Sequence, residues 1–91
     1  MRKLRKVSQL LSQLDKNQLS FFLDFFLTEQ EKSAISDRVK LTELLIENKL
    51  SQRDIAKKHQ ISIAKITRGS NVLKSLNAKQ RQVLESMLEK S

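Results

Sequence analysis

Cysteine, proline, tryptophan and tyrosine are absent from this 91-residue chain, and glycine occurs once. The missing cysteines exclude a disulfide scaffold and thiolate metal sites and leave the redox compartment open. With no proline and a single glycine, the chain is poor in the residues that build tight β-turns, so an all-α fold is expected. No apolar run approaches the roughly 18 residues of a membrane span. The start of the chain is basic, but apolar and polar residues alternate over positions 4–14 and leave no secretory hydrophobic segment, so a cytoplasmic location without membrane contact is expected. The one histidine, His59, has no Cys, no Ser–Asp pair and no metal-ligand cluster at a suggestive spacing, and no glycine loop could cradle a phosphate. Neither an enzyme nor a cofactor is expected.

What the chain does carry is positive charge. Eighteen Lys and Arg against ten Asp and Glu leave a formal +8. Such an excess points to a polyanionic partner without separating DNA, RNA and membrane surface. No linker and no internal repeat interrupts the chain, so residues 1–91 read as one domain. A domain of this size buries only about 60–65% of its unfolded surface, and a second chain often completes its core.

About six helices are expected. Leu4, Val7, Leu11 and Leu14 form one apolar stripe over residues 2–14, with Arg2, Lys3, Arg5 and Lys6 at its start as a solvated face or a phosphate contact. Residues 19–27 hold all four phenylalanines, and the consecutive Phe21-Phe22-Leu23 and Phe25-Phe26-Leu27 exclude a strand of alternating pattern. A helix this apolar is buried on most sides. The rest of so short a chain can hardly surround it, so a second subunit is expected to cover it. A membrane-lying helix fits less well, for want of a basic face. Thr28-Glu29-Gln30-Glu31 is a capping-box pattern. The helix it opens is expected to reach about Asn48, burying Ile35, Val39, Leu45 and Ile46 with Arg38 near the inward face. Asn77 caps the last helix, whose apolar face is Val83, Leu84, Met87 and Leu88.

Between them lie two short helices. Ser51 caps the first, with Asp54 at its third position, and it ends near His59. Gln60-Ile61-Ser62 makes a turn, and Ser62 caps a helix from Ile63 to about Lys74. Ala56 is small where the helices would cross, and Ile55, Ile61 and Ile66 can fill the angle between them. This spacing predicts a helix-turn-helix over 51–75, with an ordinary helical hairpin as the plain alternative. Residues 51–75 carry six Lys or Arg (Arg53, Lys57, Lys58, Lys65, Arg68 and Lys74) against one acid, Asp54. That +5 is more than half of the whole excess, as a helix pair facing DNA requires.

The residues around this turn are similar to a known family. Ser51-Gln52-Arg53-Asp54-Ile55, followed by Ile63-Ala64-Lys65-Ile66-Thr67-Arg68-Gly69-Ser70-Asn71, resembles the Trp repressor family over nearly the whole chain. The resemblance implies an intertwined all-helical homodimer with a core from residues 1–48 and 77–91 and a reading head from 51–75. It implies L-tryptophan as corepressor, fixing the heads so that two recognition helices enter successive major grooves about 34 Å apart. It implies double-stranded, palindromic operator DNA of tryptophan-related genes as the partner. The ligand site it implies has Arg38 and Arg68 flanking the indole, Arg68 on the carboxylate, Gly69 giving room, Leu41, Thr42 and Val72 lining, and the carbonyls around Phe25, Leu27 and Thr28 of the other chain on the ammonium. A surface salt bridge is the plain alternative for Arg38. The implied DNA contacts are Gln52, Arg53, Ile63, Ala64, Lys65, Thr67, Ser70, Asn71 and Lys74, with Arg53 and Lys74 on phosphates and Ile63, Ala64 and Lys65 toward bases.

Three positions depart from the family pattern. Lys65 stands where threonine is usual and adds a charge. Val72 stands where serine is usual and cannot accept a hydrogen bond from the ligand's amino group. Gln60-Ile61-Ser62 replaces a glycine-bearing turn, which is expected to stiffen the head and let the ligand-free protein bind DNA more readily. A DNA-binding repressor that ignores tryptophan or senses another small molecule is the other reading. A basic RNA- or protein-binding module fits less well, since RNA modules expose aromatics for stacking and every aromatic here sits in one apolar helix.

Overall fold

The computed structural model describes residues 3–89. Among the described residues there are six helices and no strand: α1 Arg5–Leu11, α2 Lys16–Phe26, α3 Glu29–Glu47, α4 Gln52–His59, α5 Ile63–Lys74 and α6 Ala78–Glu89. The expected all-α class and helix number are met. No described helix is long and apolar enough to cross a membrane. Contacts divide the chain into two compact units, one running to Ala34 and the other starting at Ile35.

In the first unit α1 is shorter than the apolar stripe predicts. Its N-cap residue, Leu4, offers no side-chain hydrogen bond. After Leu11 the bonds tighten to Gln13 N–H on Leu10 C=O at 3.0 Å and Leu14 N–H on Leu11 C=O at 3.3 Å. The chain must then become extended at Asp15, because Asp15 opens α2. Its carboxylate accepts from the Gln18 N–H at 2.8 Å and the Gln18 side chain accepts from the Asp15 N–H at 3.0 Å, a reciprocal cap. That Asp-x-x-Gln signal stands in the sequence, four residues after the last helical residue of α1, and limits how far α1 can run. Arg2 of the expected basic cluster lies outside the described residues.

The Phe-rich helix has no buried residue within the chain: Phe21, Phe25 and Phe26 are 68%, 67% and 60% exposed. The rings meet one another instead, Phe22 on Phe26 with centroids 4.7 Å apart and Phe25 edge-on to Phe26 at 4.9 Å. At Thr28 the predicted capping box forms. The Thr28 hydroxyl accepts from the Glu31 N–H at 3.1 Å and the Glu31 carboxylate accepts from the Thr28 N–H at 2.9 Å. Lys32 in the next turn reaches Glu29 at 3.1 Å and Asp24 of α2 at 3.4 Å. Its hydrogen bond to Glu29 does most to raise the ammonium above its ordinary pKa.

The second unit holds the buried core. Leu41 of α3, Ile55 of α4 and Ile66 of α5 pack together, with Leu44, Leu45, Leu50, Ala56 and Ile61 against them. Ile55 and Ile66 are fully buried. The four isoleucine and alanine positions expected to fill the helix angle do so. The prediction for α3 needs correction: Ile35 and Val39 are 44% and 43% exposed, and Leu41 is the buried residue. The helix carries two apolar stripes, Ile35, Val39 and Ile46 on one and Leu41, Leu44 and Leu45 on the other, roughly 150° apart at 3.6 residues per turn. The second stripe meets α4 and α5. Val83 and Met87, expected on the apolar face of α6, are also exposed.

Candidate nucleic-acid and ligand interface

Two local caps set the helix-turn-helix. Ser51 accepts the Asp54 N–H at 3.1 Å, Ser62 accepts the Lys65 N–H at 3.2 Å, and α4 and α5 run over the predicted spans. Between them Gln60 adopts the left-handed region, φ 55° and ψ 41°. A non-glycine residue there carries strain of roughly 1 kcal/mol or more. The turn expected to be stiff is therefore strained in its ordered form, because the chain must reverse within three residues without a glycine. Lys57, Lys58 and His59 occupy the last turn of α4, where positive charge suits the helix dipole.

The buried side of α5 is Ile66, Ser70 and Leu73. Opposite it, Ala64, Thr67, Asn71 and Lys74 are exposed, as are Ile63 and Lys65 at the tip and Gln52 and Arg53 at the start of α4. Eight of the nine residues expected to face DNA are thus on the surface. Ser70 differs from the other eight. It is 7% exposed because it shares the inward face with Ile66 and Leu73, four residues before it and three after. Its side chain lines a cleft of about 520 Å³, together with Leu50, Ser51, Gln52, Lys74 and Arg81. Arg81 was not among the expected residues. It lies on α6, bonded to Glu85 at 3.0 Å, and no local pattern in the sequence joins it to α5.

Of the expected ligand residues of the second unit, Leu41 of α3 and Gly69 of α5 come together. Gly69 lies within α5 with ordinary helical backbone. A Cβ built on it would stand 3.0 Å from Leu41 Cδ2 and 3.7 Å from Leu45 Cδ1, so its missing side chain admits α3. Arg68 immediately precedes Gly69, and Arg38 lies one turn before Leu41. Both arginines are exposed, and among the described residues neither has an ion-pair partner. The salt-bridge alternative for Arg38 is not met. Thr42 donates its hydroxyl to the Arg38 carbonyl at 2.7 Å, and Val72 is 59% exposed.

In the first unit Phe25 and Leu27 stand at the C-terminal end of α2, where carbonyls lack helical partners and carry the negative end of the dipole. Among the described residues no backbone N–H is bonded to the Phe25 or Leu27 carbonyl; the Thr28 carbonyl accepts from Lys32 at 2.9 Å. Two of the three expected carbonyls thus have no backbone donor among the described residues.

Comparison with known proteins agrees with this geometry. The profile of the Trp repressor protein family matches residues 2–88. A Trp operon repressor homolog of Chlamydia caviae is 39% identical over 69 residues, 76% of this chain and 68% of that protein. The homolog of Chlamydia trachomatis is 38% identical over 77 residues, 84% of this chain and 82% of its own length. That of Vibrio campbellii is 35% identical over 83 residues, 91% of this chain and 83% of its own. A family match over nearly the whole length, with a capped helix-turn-helix presenting a basic surface, places this chain in the Trp repressor family of DNA-binding transcription regulators.

Proposed function

We propose that this chain is a cytoplasmic, tryptophan-responsive repressor that acts as a homodimer on double-stranded operator DNA. The observation that carries this reading is the close approach of Leu41 to Gly69, with Arg38 one turn before the first and Arg68 next to the second, both exposed and without an ion pair among the described residues. A guanidinium both stacks on an aromatic face and forks onto a carboxylate, which are the two parts of tryptophan that need recognition. Arg38 and Arg68 flank the indole in this reading, Arg68 takes the carboxylate, and Leu41, Thr42, Gly69 and Val72 form the wall. The ammonium goes to the carbonyls around Phe25, Leu27 and Thr28 of the second copy. Filling this site orders α5 against α3, so that Ala64, Ile63 and Lys65 reach base edges while Gln52, Arg53, Thr67, Asn71 and Lys74 hold phosphates. Ser70 supports the cleft from within.

The exposed Phe21, Phe25 and Phe26 support the dimer, since bare aromatic faces of this kind mark an interface. The chain then works as a single functional domain, with 1–48 and 77–91 as dimer core and 51–75 as reading head. Operators of tryptophan-related genes are the targets implied by this ligand.

Calorimetric titration with L-tryptophan tests the reading. Saturable binding at one ligand per chain is expected, with affinity lowered at least about tenfold in Arg68→Ala, the loss of one charge-assisted contact. The variant should unfold at the wild-type temperature, because Arg68 is exposed and unpaired. Absence of heat and of thermal stabilisation at millimolar L-tryptophan overturns the tryptophan sensor and leaves a DNA-binding dimer with another signal.

A further inference from the structure

Lys65 occupies an unfavourable place for a cation, and the fold does nothing to relieve it. It lies in the first turn of α5, where the helix dipole is positive, and that turn contains no acidic residue. Three residues on, Arg68 adds a like charge at a spacing that brings side chains together. Among the described residues Lys65 has no ion pair, and its side chain is exposed. Its backbone is nonetheless held firmly, its N–H bonded to the Ser62 hydroxyl at 3.2 Å. The side chain therefore springs from a fixed point, and helical side chains lean toward the helix N-terminus. That lean, and the like charge of Arg68 behind it, both favour an ammonium directed toward the tip of α5.

We infer that Lys65 determines base specificity, donating from its ammonium to guanine at one position of each half-site. This rests on the DNA-binding reading proposed above and goes beyond it. The tip of a recognition helix is the part that meets base edges. An ammonium offers only donors, and among major-groove edges guanine alone presents two adjacent acceptors, N7 and O6. The neighbours at the tip add no competing polar contact. Ile63, 52% exposed, and Ala64 offer only apolar surface, which suits a thymine methyl group. A half-site with guanine beneath Lys65 and thymine beside it fits this tip.

The test is selection from a randomised duplex library by the full-length protein saturated with L-tryptophan, comparing wild type, Lys65→Thr and Lys65→Arg. Wild type should favour guanine at one position per half-site by about fivefold or more, as a good donor–acceptor match does. Lys65→Thr should lose that preference to within about twofold, Lys65→Arg should keep it, and other positions should not change. The thermal midpoint of Lys65→Thr should not fall below wild type, since the lysine helps nothing in the free protein. Uniform weakening on all duplexes, with a salt slope lower by about 0.9 and unchanged base preference, marks a phosphate contact and overturns the inference. So does a loss confined to tryptophan affinity, measured by calorimetry. If wild type binds no duplex at all, the repressor reading itself fails, a result visible before any variant is made.

Discussion

The two units of this chain divide their hydrophobic residues in opposite ways. The unit that ends at Ala34 holds all four phenylalanines yet buries no residue in α1 or α2. The unit that begins at Ile35 has no aromatic residue, and its aliphatic side chains are small, yet it contains Leu41, Ile55, Ile66 and Leu73, the whole set of buried hydrophobics among the described residues. Apolar content is therefore a poor guide to where a single chain finds its own stability. Two short helices meeting at an angle against α3 can enclose two isoleucines completely. A helix with large rings on most sides, preceded by one that carries none, is not enclosed by it, and its rings stay exposed. The head finds its packing against α3, and in the reading proposed above the Phe-rich region joins another chain.

The most direct way to break this contrast is to remove the centre of the head. Ile66→Ala deletes buried methyl groups from a site with no access to water, at a cost of about 2–5 kcal/mol. Against a total stability of roughly 5–15 kcal/mol, this is enough to melt α4 and α5 at moderate temperature. Amide exchange should rise first in α4 and α5 and only later in α2. Equal loss of protection in both regions would show one cooperative core.

The converse change sharpens the comparison. Phe21→Asp alters a side chain that the single chain leaves mostly exposed, so α4 and α5 should keep their structure. A charge buried against a partner surface should instead weaken self-association by about a hundredfold or more, near 3 kcal/mol. Sedimentation equilibrium over a range of concentrations measures this. Unchanged association would show that the phenylalanine face is not the interface.

A smaller effect probes the head's turn. Gln60→Gly relieves the left-handed strain at φ 55° but gives the unfolded chain more freedom, so the two terms partly cancel. A net gain of up to about 1 kcal/mol in denaturant unfolding is expected, confined to the head. A loss of stability would mean that the Gln60 side chain contributes packing that outweighs the strain.

Much of the fold was legible because it is written in short-range chemistry. Thr28 with Glu31, Ser51 with Asp54, Ser62 ahead of Lys65 and Asn77 with Gln80 each place an oxygen within reach of an N–H two or three residues on, whatever the rest of the chain does. The same logic holds for Asp15 and Gln18, a pattern of the same type that competes with the apolar stripe running on to Leu14. The stripe is a weaker signal there, since a helix needs a cap more than it needs one further leucine.

The sequence by itself determined where the helices of the head begin and end, that they form a basic helix-turn-helix, and which family the chain belongs to. Those are matters of residue type at fixed spacing along one backbone. Only the tertiary structure decided that α3 turns Leu41 rather than Ile35 and Val39 toward the head, that Gly69 makes room for Leu41, and that Ser70 lies inward while Thr67 and Asn71 face out. A helix with two apolar stripes, or a serine at the edge of one, has two nearly equal ways to face. The choice between them rests on the shape of the surface it meets, and that surface comes from residues far away in the chain.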